Sequence, residues 1–335
     1  MHNFFLNKDN FTKCIICLKE PSSSKPNSIL TDEHLIPEFI GGRFTSKNLC
    51  KGCNEQLGSS VEGPLSNNVY FKLHGFQHKI KGKKKEITNP LSDTYEIDDK
   101  KFRYQNDFSL YMIPKLEIFL TDEGIIKIEG SLDISDIPRL RDMLIKGIQR
   151  RLKENQLEWS YERIISQVDS IVKKAEESTR TVINNPEVTG IIDLEEPETK
   201  RNLALLALKI GYEFLAIYYG QTFIEDIVFK PFRDALLTKT LNPEIEFCSI
   251  NLIEVMKSMA PAPFKLNLDI LEDPSKTIII LYNELASVKF LNLWFSFKIK
   301  NKPINDIIYL SSCSKTGEIK IFENSEFFKK LISNN

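Results

Sequence analysis

An α+β fold is what this sequence predicts, built as a small cysteine-rich N-terminal unit followed by a longer mixed α+β region. Three observations carry that expectation. Four of the six cysteines form two Cys-x-x-Cys pairs, Cys14/Cys17 and Cys50/Cys53. Apolar residues alternate in short runs between about 80 and 135 and again after Thr277, the period of half-buried strands. Between these runs, Ile137, Leu140, Leu144, Ile148 and Leu152, and later Leu203, Leu206, Ile210, Phe214 and Ile217, recur at helical spacing.

At 335 residues, with roughly 150 residues per domain, the length suggests two domains, or one with a large insertion. Hydrophobic residues make up 41% and charged residues 27%, which excludes a disordered or fibrous chain. The net charge is −1, so the molecule as a whole is no basic nucleic-acid coat. The distribution is uneven: residues 1–85 carry 13 Lys/Arg against 7 Asp/Glu, net +6, leaving −7 for the rest. A polyanion partner therefore fits only the N-terminal part. The run Phe4-Phe5-Leu6 is too short for a signal-peptide core, and Leu203 to Tyr219 carries Lys209 and Glu213 near its middle, which suits a buried helix better than a bilayer span. These features point to the cytoplasm and to no membrane partner. Four paired and two isolated cysteines, in a reducing compartment, indicate a metal site and not a disulfide framework.

Taken in order, residues 1–65 are rich in Gly, Cys, Asn and Pro and cannot build much core alone, so a bound metal is expected to support them. A helix is expected over Ser66 to His74 with Gly75 as its stop. Strands follow at Lys115 to Leu120 and Ile125 to Glu129. Asp136 then reads as the N-cap of the helix carrying Ile137 to Leu152. Further helices are expected at about 159–176, 198–219 and 223–238. Strands return at Thr277 to Leu281, Val288 to Ile299, Ile307 to Leu310 and Ile319 to Phe322. The division expected is 1–78 and 79–335.

The chemistry concentrates in one stretch: Cys14-Ile-Ile-Cys17, Asp32-Glu33-His34-Leu-Ile-Pro37, Gly41-Gly42, and Lys47-Asn48-Leu-Cys50-Lys-Gly-Cys53-Asn54. Two knuckles supply four thiolates, the donor set of a closed, structural zinc site. Between them the residues suggest strand, turn, strand and a helix opening near Cys50. Such a hairpin folds the Glu33 carboxylate, the His34 imidazole and the amides of Asn48 and Asn54 toward one pocket.

On these residues the sequence resembles the HNH endonuclease family, in the subgroup whose ββα-metal, treble-clef-like fold is braced by Cys-x-x-Cys pairs. Its pattern of Cys-x-x-Cys, Glu-His-x-Ile-Pro, Gly-Gly and Cys-x-x-Cys-Asn with a Gly shortly after is matched here, the last part as Asn54-Glu-Gln-Leu-Gly58, over about residues 12–65. The resemblance implies a nuclease domain over 1–78. His34 matches the general base that deprotonates water. Asn48 matches the middle asparagine, which orients that histidine. Asn54 stands where many members have His, and with Glu33 it would ligate a catalytic divalent ion. Carboxylate and amide oxygens suit Mg²⁺ or Mn²⁺. The letters here are His, Asn, Asn.

Arg43, Lys47 and Lys51 flank this stretch and are expected to contact phosphates. Lys79 to Lys85 forms a second basic cluster, and His74 and His78 are read as structural or surface residues. Residues 79–335 hold no Walker loop, no dinucleotide fingerprint and no further metal cluster, so target selection, oligomerisation or gating is their expected role. Leu206 to Phe214 resembles a helix found behind many heads of this type, which assigns no activity. The resemblance implies a metal-dependent endonuclease acting on DNA, with antiphage defence or a mobile element as its setting. A zinc-braced nucleic-acid-binding module without catalysis, RNA cleavage, and assembly with itself or a partner protein are the alternatives.

Overall fold

The structure is a computed structural model that describes residues 7–81, 87, 89–91, 94–97, 99–105, 107–120, 126–177, 194, 196–248, 269–301 and 304–331. The chain divides into two compact units. One joins Met1–Thr88 to Ile192–Asn335, and the other is Asn89–Ile191. The fold is α+β, as expected.

The N-terminal part of the first unit is a ββα arrangement. Strand β1 (Leu30–His34) pairs antiparallel with β2 (Thr45–Cys50), and helix α1 (Lys51–Leu57) starts directly at the end of β2. A wide π turn, Gly58–Glu62, leads into the short helix α2 (Gly63–Asn67) and then α3 (Val69–Gln77), which is capped by the Asn68 side chain accepting from Tyr70 N. Gly75 therefore lies inside α3, not at its end. At the turn between β1 and β2, Gly41 adopts φ +92°, and a Cβ there would lie 2.5 Å from the Cα of Ser314, so this turn needs glycine twice over.

The second unit holds the meander β3 (Tyr95–Ile97), β4 (Lys100–Tyr104) and β5 (Leu110–Met112), then the hairpin β6 (Lys115–Leu120) and β7 (Ile126–Ser131). Helices α4 (Ile137–Glu154) and α5 (Tyr161–Glu177) follow. Leu140, Leu144, Ile148 and Leu152 of α4 are buried with Ile118, Ile126, Ile164 and Val168, which is the stripe the 3.6-residue period predicts. The cap differs from expectation. Asp133, not Asp136, caps a short 3₁₀ turn ahead of α4 by accepting from Ser135 N, while Asp136 is buried and accepts from Tyr111 Oη at 2.7 Å. Ile125 and Lys83 to Lys85 lie outside the described residues.

The first unit resumes with α6 (Pro197–Tyr219), α7 (Gln221–Ile224), α8 (Lys230–Thr238) and β8 (Phe247–Cys248). A short helix α9 (Asp269–Glu272) precedes β9 (Lys276–Asn283), β10 (Leu285–Phe290), β11 (Leu293–Lys298), β12 (Ile304–Cys313), β13 (Ile319–Glu323) and α10 (Asn324–Leu331). The expected single strand over Val288 to Ile299 is instead the hairpin β10–β11, turned at Leu291 with φ +59°. Strands β8–β13 form one antiparallel sheet in the order β13-β12-β9-β10-β11-β8.

Alternation along β9 sorts the two faces of that sheet. Ile279 and Leu281 join the main core, while Ile278 and Ile280 pack with Tyr309 and Phe327 of α10. Helix α6 is buried on all sides from Asn202 to Ile217, because the sheet covers one flank and the N-terminal part covers another. Gly211 lets it approach the sheet, since a Cβ there would sit 2.6 Å from the Phe297 ring. No described helix is long and apolar enough to cross a membrane. One continuous core runs from Ile15, Leu35 and Leu49 near the knuckles through α6 to Val288 and Phe297 in the sheet.

Candidate nuclease and metal site

The four knuckle cysteines converge. Cys14 and Cys17 come from the N-terminal loop, Cys50 ends β2 and Cys53 lies in the first turn of α1. The first knuckle is a tight turn: Cys14 N donates to Lys19 O at 3.0 Å and Leu18, at φ +56°, returns its N–H to Cys14 O. All four sulfurs lie within 4.8 Å of one another, and Cys17 Sγ and Cys50 Sγ are 3.7 Å apart. A tetrahedron with metal–sulfur bonds of about 2.3 Å has sulfur–sulfur edges of about 3.8 Å, so the donor set fits a tetrahedral thiophilic ion. The thiols also compete for charge. A hydrogen bond from Cys53 holds Cys14 down to about 5, the same bond pushes Cys53 upward, and burial raises Cys17 to about 11. Four thiolates this close are compatible only with a cation among them. Among the described residues this is the one cluster of its kind.

His34 closes β1, half-buried, paired with Thr45 across the hairpin. A bulge precedes it: Thr31 pairs with Leu49 and Glu33 with Ser46, so Lys47 and Asn48 together oppose Asp32. The bulge separates the side chains. Asp32 is exposed and His34 half-exposed, while Glu33 turns into the core at 6% exposure. Asn54 is fastened to the strand that carries His34, its Nδ2 donating to Thr31 Oγ1 at 3.2 Å and to Asp32 O at 3.4 Å. Thus β1 brings His34 and Asn54 onto one ββα unit.

Glu33 and Asn48 meet something the sequence reading did not place there. Lys209 of α6, 1% exposed, donates to Glu33 Oε1, to Glu62 Oε1 at 2.7 Å and to the His34 carbonyl oxygen at 3.2 Å, and it lies 3.7 Å from Glu213 Oε1. Burial works against the Lys209 ammonium, but Glu213, Glu33 and Glu62 outweigh it and hold it charged well above the ordinary lysine range. Burial likewise raises Glu33, with Lys209 opposing, and raises Glu213 well above the usual carboxylate range. Asn48 is fully buried. Its carboxamide lies beside Glu213 and favours the ionised form there, yet neither amide atom makes a well-aligned hydrogen bond, and none reaches His34. Its backbone carbonyl accepts from Ile15 N at 3.0 Å, tying the bulge to the first knuckle. The signal for Lys209 and Glu213 was a charged pair four residues apart inside an apolar helix. Nothing local named their partners.

The flanking cations divide. Lys47 and Lys51 are exposed, Lys51 only loosely paired with Glu55 at 3.8 Å. Arg43 is exposed but engaged, donating to Lys315 O at 3.3 Å and lying over Gly317. His74 on α3 and His78 just past its end lie with ring centres 4.3 Å apart, tilted 56° to each other.

With that geometry in view, comparison with known families gives one result: residues 14–70, from the first knuckle into α3, match the family described as HNH endonuclease. The N-terminal segment is thus similar to HNH endonucleases, and the four clustered cysteines, arranged as a metal site would need, fall inside the matched stretch. No curated protein and no solved structure matches the chain.

Proposed function

We propose that this protein is a metal-dependent endonuclease that hydrolyses DNA phosphodiester bonds, with zinc held by Cys14, Cys17, Cys50 and Cys53 as a structural brace. The observation that carries the reading is a cysteine-braced ββα unit, within the stretch similar to HNH endonucleases, in which Asn54 is tied to the strand that ends in His34.

His34 acts as general base. Its ring makes no hydrogen bond among the described residues, so its lone pair is not committed to another protein donor. It takes a proton from water as the water oxygen bonds to phosphorus, and the 3′ oxygen leaves with the electron pair of the broken P–O bond. Asn54, with Glu33 as the resemblance implies, would hold Mg²⁺ or Mn²⁺. Asn54 fits that role, since it holds β1 through its nitrogen and no hydrogen bond reaches its Oδ1 among the described residues, whereas Glu33 is turned toward α6 and paired with Lys209, so its share in holding the ion rests on the resemblance alone. When bound, such an ion supplies charge neutralisation at the phosphate and the leaving oxygen. Asn48 supports the hairpin from the core side through its carbonyl bond to Ile15. Lys47 and Lys51, with Arg43 at the turn, contact the phosphate backbone.

DNA is favoured as the substrate over RNA only by the family resemblance. Antiphage defence or a mobile element, in the cytoplasm, is the setting that goes with it. The test is an assay of the full chain on supercoiled, linear and single-stranded DNA and on RNA, with and without added Mg²⁺ or Mn²⁺. Metal-dependent DNA cleavage supports the reading. Binding without cleavage under every metal returns the protein to a zinc-braced binding module.

A further inference from the structure

We propose that Lys209 of α6 is a positioning residue of the nuclease centre, its ammonium fixing both the Glu33 carboxylate and the backbone of His34. The catalytic part of this inference rests on the nuclease reading above; the positioning part does not.

Three observations combine. The first is what the ammonium touches. One group, 175 residues away in sequence, donates to the His34 carbonyl and to Glu33 Oε1, the two neighbours that the proposed chemistry needs in fixed relation. Glu33, 6% exposed, keeps its Oε2 clear of hydrogen bonds among the described residues, so the ammonium is what anchors this carboxylate. The second is how the ammonium is itself held. Glu62, from the π turn after α1, and Glu213, one turn further along α6, flank it. On the same helix Tyr212 donates to Ile15 O at 2.7 Å, beside the first knuckle, so α6 is registered against the head at two points. The third is the choice of residue. A buried lysine among carboxylates is costly to desolvate, and well-packed apolar side chains commonly stabilise such a place as well or better. A charge cluster set at the Glu33 carboxylate and the base's own carbonyl serves geometry more than stability. Helix α6 is then a component of the active centre, held rigid by burial on all sides.

The experiment uses the full chain with Lys209→Met and the double variant Lys209→Met/Glu62→Gln, which removes one of the carboxylates left without a partner. Folding is judged by zinc content and cooperative unfolding. Hydrogen exchange read by mass spectrometry then reports on peptides spanning residues 30–36, 12–19 and 48–56. The expected result is that exchange across 30–36 accelerates about 10-fold or more while the two knuckle peptides keep their protection. In cleavage assays kcat should fall about 10²-fold, the scale of a misplaced reacting group, with KM changed less than about threefold. A folded variant with unchanged exchange at 30–36, or one that cuts as fast as or faster than wild type, overturns the proposal. So does failure of both variants to fold, which would assign Lys209 to stability. If exchange at 30–36 is released while wild type cuts no phosphodiester, the positioning contact stands and the nuclease reading alone falls.

Discussion

Lys209 Nζ lies 3.2 Å from the carbonyl oxygen of His34 and is paired on the same side with Glu33. The long helix and the β-hairpin are thus joined at two of the four residues to which the family resemblance gives a role. The head and the C-terminal sheet accordingly share one core, in which Ile15, Leu35 and Leu49 are packed with Leu206, Ile210 and Val288. Several consequences can be measured.

Freshly purified, reduced protein should contain one zinc per chain. Cys50→Ser should lose it, and residues 1–65 should become sensitive to protease, because site formation is coupled to folding. Metal analysis of the wild type showing no zinc would remove the brace from the proposal.

A fragment ending at residue 78 should bind zinc yet fail to unfold cooperatively. Without α6 it exposes Ile15, Leu35 and Phe71 and strands the Glu33 carboxylate without its cation. Circular dichroism during thermal melting distinguishes the cases. A sharp transition in the fragment would show that the head folds without α6.

Acid should destabilise the protein partly through α3. Burial, and then the charge of His78, depress His74 to about 4, whereas an unfolded histidine titrates near about 6.5. Between those values the unfolded chain binds a proton that the folded chain refuses, so this contribution is present above pH ~6.5 and is lost as pH falls toward 4. Urea midpoints at pH 7.5 and 5.5 should therefore drop less in His74→Gln than in wild type. Equal drops would show that His74 does not contribute.

Reversing the charge of the two exposed lysines, Lys47→Glu with Lys51→Glu, should weaken nucleic-acid binding and flatten its salt dependence by about 1 to 2 units of slope, with zinc content unchanged. Fluorescence anisotropy against a labelled duplex at several salt concentrations measures this. Arg43→Ala should have the smaller effect, because its guanidinium is already engaged with Lys315 O. An unchanged slope in the double variant would place the phosphate contacts elsewhere.

The cysteine knuckles, the ββα order and the buried stripe from Leu140 to Leu152 were legible because each is written in local spacing. The sites of error were local competitions. Gly75 stays helical because Asn68 and the following turn carry α3 through to Gln77, and Asp133 takes the capping role because a 3₁₀ turn precedes α4. The run from Val288 to Ile299 hid a hairpin, since Leu291 makes its turn at positive φ without a Gly or Asn-Gly signal. At the site, the sequence pointed to Glu33, His34, Asn48 and Asn54 but not to the fact that Glu33 and Asn48 face α6. Long-range ion pairs leave no periodic trace; only the misplaced charges of Lys209 and Glu213 in an apolar helix marked the spot.

The central claim, that His34 is the base of a phosphodiesterase, is tested most directly by the cleavage rate of His34→Ala beside wild type at saturating Mg²⁺ or Mn²⁺. Zinc content and DNA affinity are held as controls. The substitution removes no cysteine ligand and leaves the His34 backbone carbonyl available to Lys209, so both controls should be unchanged while the rate falls by about 10²-fold or more. Added Mn²⁺ should not restore it, whereas it should partly restore Asn54→Ala. Cleavage by His34→Ala at the wild-type rate would contradict the claim.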